Sequence, residues 1–402
     1  MAEKSSIRQY GETIAFAGPR VAGWLSSMGP AWLVMIANVD AASVITAAQT
    51  GAVYKYGFIW VLTLLVIPLF FIQEASGRIG AVTGKGLGEV IRTNYSKRIA
   101  VFAAAPMALT DVLTYSAEYA GIAIGGQMIG IPIWITLPGA YITHVLLVYK
   151  REYHKAEKVL LGISAILVVG YISSLVMGGI KPLSPFYFSM HDSFLFLVAA
   201  NVGAVVMPFM LFYQASATAE RGLSNVKRSM IGTLVGAVVS EILMIVIEMS
   251  SSNLGILPNI VSGAQLAQGL STIAGAYAPL LLGLGLIGAS FLALTVVSLG
   301  SAWGLVEALG FKRERAFPLY LVESIPALII TFLFLSNLMD FMLQLMVVFV
   351  FVLIGPALIM GLLSSSKKVM GENASTTFWK VAYWTSLGAV ISVGIVYAVL
   401  SI

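Results

Sequence analysis

The chain has 402 residues, of which 59% are hydrophobic and only 10% charged, with 23 Lys or Arg against 18 Asp or Glu and a formal net charge of +5. A water-soluble domain needs more charge than this to cover its surface, so soluble enzymes and soluble binding modules are excluded. The absence of cysteine also removes disulfides, thiolate metal sites and cysteine nucleophiles.

The opening stretch MAEKSSIRQYGETIAFAGPR is polar and lacks the short apolar core and small-residue cleavage site of a signal peptide. The first apolar span is therefore expected to direct the chain to the membrane. Runs of about 20 apolar residues then follow one another, each long enough to cross a hydrocarbon core of about 30 Å as a helix. Spans are expected at 28–50, 57–77, 99–124, 131–149, 157–178, 195–218, 230–249, 279–305, 317–335, 341–363 and 378–400. The alternating segments of a membrane barrel are missing. The fold class is thus an all-α polytopic membrane protein of about eleven helices, read as a single domain over residues 1–402. The longest polar piece, about 250–278, is uncharged and Gly-rich, and it reads as an interfacial or mobile loop.

Eleven spans make the connecting segments alternate between two faces. Counted that way, 21 Lys or Arg fall on the face that holds the N-terminus, and only Lys55 and Lys181 fall on the other. The positive-inside rule places the N-terminus in the cytoplasm and the C-terminus outside, in a multi-pass cell-membrane protein whose partner is the lipid bilayer. The basic residues are what a cytoplasmic membrane face needs, so they give no reason to expect a nucleic-acid partner. Spans 1–5 start from the cytoplasm and spans 6–10 from outside. Such inverted repeats, here about 28–178 and 195–363 with 378–400 as an extra helix, are a common transporter plan with the site where spans 1 and 6 are interrupted.

Ionisable groups inside spans are functional candidates because an unpaired charge there is costly. Asp40 stands in the middle of span 1 in IANVDAAS, and no basic residue inside a span is available to neutralise it. It is expected to be the carboxylate of the site, with no other nearby. Glu74 lies one turn before Arg78 and reads as a local ion pair. Asp111 and Glu118 share one face of span 3 with Tyr115 between them, and read equally as a proton route or as hydrogen bonds to neighbouring helices. Glu241, Glu248, Glu307 and Glu323 read as structural. His144 stands alone in span 4, whereas His154 and His191 are in loops. No HExxH, Walker, GxSxG or kinase signature occurs, so hydrolytic and phosphoryl-transfer machinery is missing.

Several stretches, in order, resemble a known family: GPAWLVMIANVDAAS, GFIWVL, FIQEASGRIGAVTGKGLGEV, AEYAGIAIGGQMIGIP, HKAEKVLLGISAIL and GAVVMPFMLFYQASA. They resemble the Nramp divalent-metal transporters over roughly residues 28–365, most specifically in RIGAVTGKGLGE and AVVMP. The resemblance implies a LeuT-type inverted-repeat fold with spans 1 and 6 broken around a metal site. It implies a ligand set of Asp40 and Ser43 at the Asp and Asn of the family's DPGN, Met207 before Pro208, the backbone carbonyls of Ala37 and Ala204, and Gln344 of span 10. A thioether among oxygens favours Mn²⁺ or Fe²⁺ over hard ions. No cofactor is expected, the divalent ion being cargo, and a monomer is the expected state.

The sequence also departs from the family. The Pro and Gly of DPGN are Ala41 and Ala42, so the break in span 1 loses its usual helix breakers. Phe209 and Gln214 replace two histidines, Tyr115 replaces an aspartate, and Leu319 and Tyr320 replace arginines. Those are positions tied to proton coupling, and their loss resembles the Nramp-related magnesium transporters. The leading expectation is a divalent metal importer for Mn²⁺ or Mg²⁺ without obligatory protons. The alternatives are a proton-coupled Mn²⁺ or Fe²⁺ importer using Asp111 and Glu118, an amino-acid or amine symporter with Asp40 on an ammonium group, and a membrane enzyme or receptor.

Overall fold

Helix starts and stops follow local chemistry. In the computed structural model, which describes residues 30–150, 153–222, 224–253, 268–269, 271–272, 275–334 and 337–400, no β-strand occurs among the described residues. The first span is two helices, α1 (Pro30–Ala37) and α2 (Ala41–Tyr54), followed by α3 (Ile59–Thr83) and the short α4 (Leu87–Asn94). Gly84, at φ 64°, adopts the left-handed conformation that closes α3. Ser96 then accepts a bond from the Ile99 N–H at 3.2 Å and starts α5 (Lys97–Met128). Next come α6 (Ile133–Lys150), α7 (Tyr153–Gly178) and a second divided span, α8 (Asp192–Val205) with α9 (Pro208–Glu220). The chain continues through α10 (Val226–Ser251), α11 (Ala278–Leu309), α12 (Ala316–Leu333), α13 (Leu338–Val352), α14 (Ile354–Ser365), α15 (Lys367–Met370) and α16 (Thr377–Leu400).

Helices occupy every stretch expected from the sequence. Among the described residues seven spans, α8 and α9 together counting as one, are long and apolar enough to cross a membrane, or eight when the bent pair in α13 and α14, turned by 40°, is taken as one span. The apolar parts of α6 and α7 are shorter, at Ile133–Tyr149 and Gly162–Gly178. The amphipathic α4 was not expected; its Leu87, Val90 and Ile91 are buried, while Glu89 and Arg92 lie towards its polar side. The expected 250–278 loop falls largely outside the described residues.

Burial separates centre from rim. In α2 every residue from Ala41 to Ala52 is buried, as is every residue of α9 from Pro208 to Thr218. The rim shows large apolar side chains instead, among them Trp134, Val176, Phe378 and Val399, as a lipid-facing surface requires. The divided spans pack crosswise: α1 lies against α9, and α2 lies against α8. α3 and α10 hold them on one side and α5 and α11 on the other. This is the arrangement that an inverted repeat produces when its first helices are both interrupted.

At the end of α2, Lys55 has φ 62° and its ammonium donates to the Ala52 and Ser252 carbonyls, both at 3.2 Å. Burial, and then the charge of Lys181, lower its pKa, so the two lysines of the sparsely basic face share one neighbourhood.

Candidate metal site at two helix breaks

The break between α8 and α9 follows from one residue. A helical Ala204 carbonyl would accept from the N–H four residues on, but that residue is Pro208, which has none. Val206 and Met207 are extended, at ψ 92° and 143°, and Pro208 starts the next helix. The Ala204 carbonyl is left to accept the Ser43 hydroxyl at 3.4 Å, a long bond that joins the two divided spans.

The break between α1 and α2 has no proline or glycine. Asp40, at φ −85° and ψ 177°, caps α2 by accepting the Ser43 N–H at 2.7 Å. The Ala41 N–H, which would otherwise return to Ala37, donates to Oε2 of Glu118 at 3.4 Å. The Ala37 carbonyl accordingly accepts no backbone bond across the break among the described residues. A Cβ at Gly121, one turn past Glu118, would collide with Ala41 and with the Ser290 hydroxyl, so glycine there lets α5 come this close.

The expected residues sort clearly. Asp40, Ser43, Ala37 and Ala204 lie at the facing breaks, with Met207 capping α9 three residues past Ala204. All are buried, Asp40 and Met207 completely, so the breaks are closed to solvent. Gln344 does not join them: it is exposed and donates to Asp340 at 2.9 Å in an open groove with Leu113, Asn337 and Phe341. Glu118 corrects the expectation that Asp40 would be the only nearby carboxylate, because the two carboxyl groups adjoin. Among the described residues Asp40 Oδ2 and Glu118 Oε1 have no hydrogen-bond partner. Asn38 is not in the expected set: it is buried inside the break, and among the described residues its Oδ1 has no hydrogen-bond partner. Its signal was a polar residue two before Asp40 in an apolar run.

The remaining polar groups behave differently from one another. Arg78 pairs with Glu74 at 3.1 Å, as expected, and also reaches the Asn373 carbonyl and Ser375 hydroxyl. Glu248 accepts the Phe58 N–H at 2.9 Å, and Glu307 accepts the Ser216 hydroxyl at 2.9 Å. Glu241 is buried, and among the described residues neither of its oxygens has a hydrogen-bond partner. His144 is not alone: Nδ1 meets the Tyr119 hydroxyl at 2.8 Å and Nε2 meets Ser298 at 2.6 Å. Ser298 gives its own proton to the Leu294 carbonyl, so Nε2 carries the hydrogen and Nδ1 accepts. Gln214 donates to Thr233 at 2.9 Å, while Gln73 donates to the Met210 carbonyl and Ser76 to that of Leu211, tying α9 to α10 and α3.

Among the described residues no three His, Cys, Asp or Glu side chains are grouped to hold a metal. The residues at the breaks instead carry the Asp40 and Glu118 carboxyl groups, an amide oxygen, a hydroxyl, two carbonyls and the thioether of Met207. Oxygens with one sulfur suit a partly dehydrated divalent ion of the first transition row, which oxygens alone would not favour over Mg²⁺ or Ca²⁺.

The family model described as "Natural resistance-associated macrophage protein-like" matches residues 31–400. The "Divalent metal cation transporter MntH" of two Klebsiella pneumoniae strains is 29% identical over 210 residues, covering 48% of this chain and 49% of that protein. The chain therefore spans about half the length of these curated relatives in the match. The solved manganese transporter of Eremococcus coleocola, in complex with an aromatic bis-isothiourea substituted compound, superposes with a TM-score of 0.76 at 16% identity, covering 94% of this chain and 87% of that one. MhsT in complex with L-phenylalanine superposes at 0.60 and 13% identity, covering 93% and 98%. At such identities these likenesses speak for the fold, which is the LeuT type expected.

Proposed function

Because the chain belongs to the Nramp family, we propose that it imports divalent metal ions across the membrane, with Mn²⁺ and Mg²⁺ as the candidate ions and the Lys- and Arg-rich face in the cytoplasm. The observation that carries this reading is the pair of facing helix breaks, where Asp40 Oδ2 and Asn38 Oδ1 are buried without hydrogen-bond partners among the described residues and Ala37 and Ala204 carry under-used carbonyls. Buried oxygens without donors are stabilised by a cation. Met207 adds a soft donor and supports Mn²⁺, whereas Ser43, shorter than asparagine, leaves room for a partly hydrated Mg²⁺. The relatives named for divalent cations and manganese support the same class of cargo. Asp40→Ala in liposomes tests the reading: Mn²⁺ and Mg²⁺ uptake should disappear, and unchanged uptake would sink the site.

Transport without obligatory proton movement is supported by Tyr115, Phe209, Gln214, Leu319 and Tyr320 at the positions described above. The contact between Asp40 and Glu118 favours a second reading, in which proton movement accompanies the metal. Two adjoining carboxyl groups need a proton or a cation between them, and an arriving divalent ion would take the proton's place. Liposomes loaded with a pH dye separate the two, since metal-dependent lumenal acidification under an imposed potential belongs to the second reading alone.

A further inference from the structure

Cations from three separate elements converge on one turn at the Lys- and Arg-rich face, the Gly310–Phe311 turn that follows α11. The Phe311 ring is 42% exposed, with the Lys97 ammonium of α5 at 5.5 Å from its centroid and the Arg315 guanidinium, just before α12, at 4.9 Å. Arg92 of α4 reaches the same turn. Its Nε donates to the Glu307 carbonyl at 3.0 Å, and a Cβ at Gly310 would lie 3.4 Å from its guanidinium. The two charges that share the ring are thus at most about 10 Å apart, close to the Debye length at physiological salt.

The chain does not offset these charges with its own acids. Among the described residues the ion pairs are Glu74–Arg78 and Lys85–Glu89, and neither includes Arg92, Lys97 or Arg315. A cation–π contact at an exposed ring is weak, so Phe311 gathers the cations without neutralising them. Lys97 and Arg98 also fill the first turn of α5, which holds no acid, although the positive end of a helix repels cations. An anion from outside the chain would relieve this repulsion. The surroundings select its kind: α5 and α12 begin at the patch and α11 ends there, and large apolar side chains lead away from it along α5. Ile99 is 39% exposed, and Phe102, one turn beyond Arg98 on the same face, is 72% exposed. A water-borne anion has no use for such a wall, whereas a lipid uses both the cations and the apolar surface.

We propose that Arg92, Lys97 and Arg315 around Phe311 bind the phosphate headgroup of an anionic phospholipid in the leaflet on the Lys- and Arg-rich face. Its acyl chains follow Ile99 and Phe102 of α5. Arg92 connects this site to a divided span, because the Glu307 whose carbonyl it holds also accepts the Ser216 hydroxyl of α9 at 2.9 Å. A bound headgroup therefore braces the end of α11 to which α9 is fastened.

Native mass spectrometry of the full chain in neutral detergent, titrated with phosphatidylglycerol or phosphatidylcholine of equal chain length, reads the site directly. Wild type should hold one phosphatidylglycerol about tenfold more tightly than phosphatidylcholine. Lys97→Gln combined with Arg315→Gln should remove that preference. Lys227→Gln combined with Arg228→Gln, which takes the same charge from the start of α10 on the same face, should keep it. Phe311→Leu leaves every charge in place and removes the ring that gathers them, so the preference should shrink; this variant and Arg92→Gln decide if the first pair does not fold. Equal losses in the two double variants would mean a general attraction of a basic face for anionic lipid and would overturn the site. An unchanged preference in Lys97→Gln with Arg315→Gln, or in Phe311→Leu and Arg92→Gln together, would overturn it as well. Inorganic phosphate at the same concentrations should not displace the lipid, and displacement would identify a soluble-phosphate site instead and overturn the lipid assignment.

Discussion

The two helix breaks at the centre of this protein do the same work by different means. Between α8 and α9 the break is covalent: Pro208 has no N–H to offer, so the Ala204 carbonyl lacks its helical partner whatever the rest of the fold does and accepts the Ser43 hydroxyl instead. Between α1 and α2 the residues after Asp40 are two alanines, the best helix formers, and the break is held by side chains. Asp40 takes the Ser43 N–H and Glu118, 77 positions along the chain, takes that of Ala41. A break made by proline is fixed, whereas one made by capping carboxylates responds to whatever else those carboxylates bind. A metal ion at Asp40 would thus act on both the cap and the break.

That contrast gives a graded set of expectations. The largest effect belongs to Asp40. Asp40→Ala should abolish uptake and also cost about 1 kcal/mol of cap stability. Asp40→Asn keeps a capping oxygen, so it should fold with wild-type stability in thermal unfolding and still fail to transport; a transporting Asn variant would show that Asp40 matters only as a cap. Next is Pro208→Ala, which returns an N–H to the Ala204 carbonyl. Metal affinity measured by calorimetry should fall about tenfold, or ~1.4 kcal/mol, and an unchanged affinity would remove that carbonyl from the ligand set.

Met207→Ala should weaken Cd²⁺ and Mn²⁺ binding about tenfold more than Mg²⁺ binding, since only the softer ions gain from sulfur. Equal losses across the three ions would mean that the sulfur is packing. The smallest effect belongs to Ser43→Ala, whose hydroxyl bond to Ala204 is long; affinity should change by about 1 kcal/mol or less. A larger loss would identify the hydroxyl as a direct ligand.

How far the sequence could go follows from where each determinant sits. Apolar run length places the helices, because a helix satisfies its own backbone in lipid, and Pro208 announces its break locally. The break at Asp40 is harder. Ala41 and Ala42 argue for a continuous helix, and the residue that captures the freed N–H lies on another span. The family resemblance therefore located a break that local propensity denies. The partners of Glu323, Tyr115 and Ser301, are likewise distant in sequence, and no periodicity connects three helices. Gln344, assigned by resemblance, faces an open groove beside Asp340, and a position on α13 cannot by itself decide which side of that helix meets the breaks.

The most direct measurement is anomalous diffraction from crystals of the protein soaked in Mn²⁺. A single strong peak between the two breaks, within bonding distance of an Asp40 carboxylate oxygen, the Ala204 carbonyl and the Met207 sulfur, is the predicted result. A peak in the groove at Asp340 and Gln344, or no peak at the breaks in protein that takes up Mn²⁺, would contradict it.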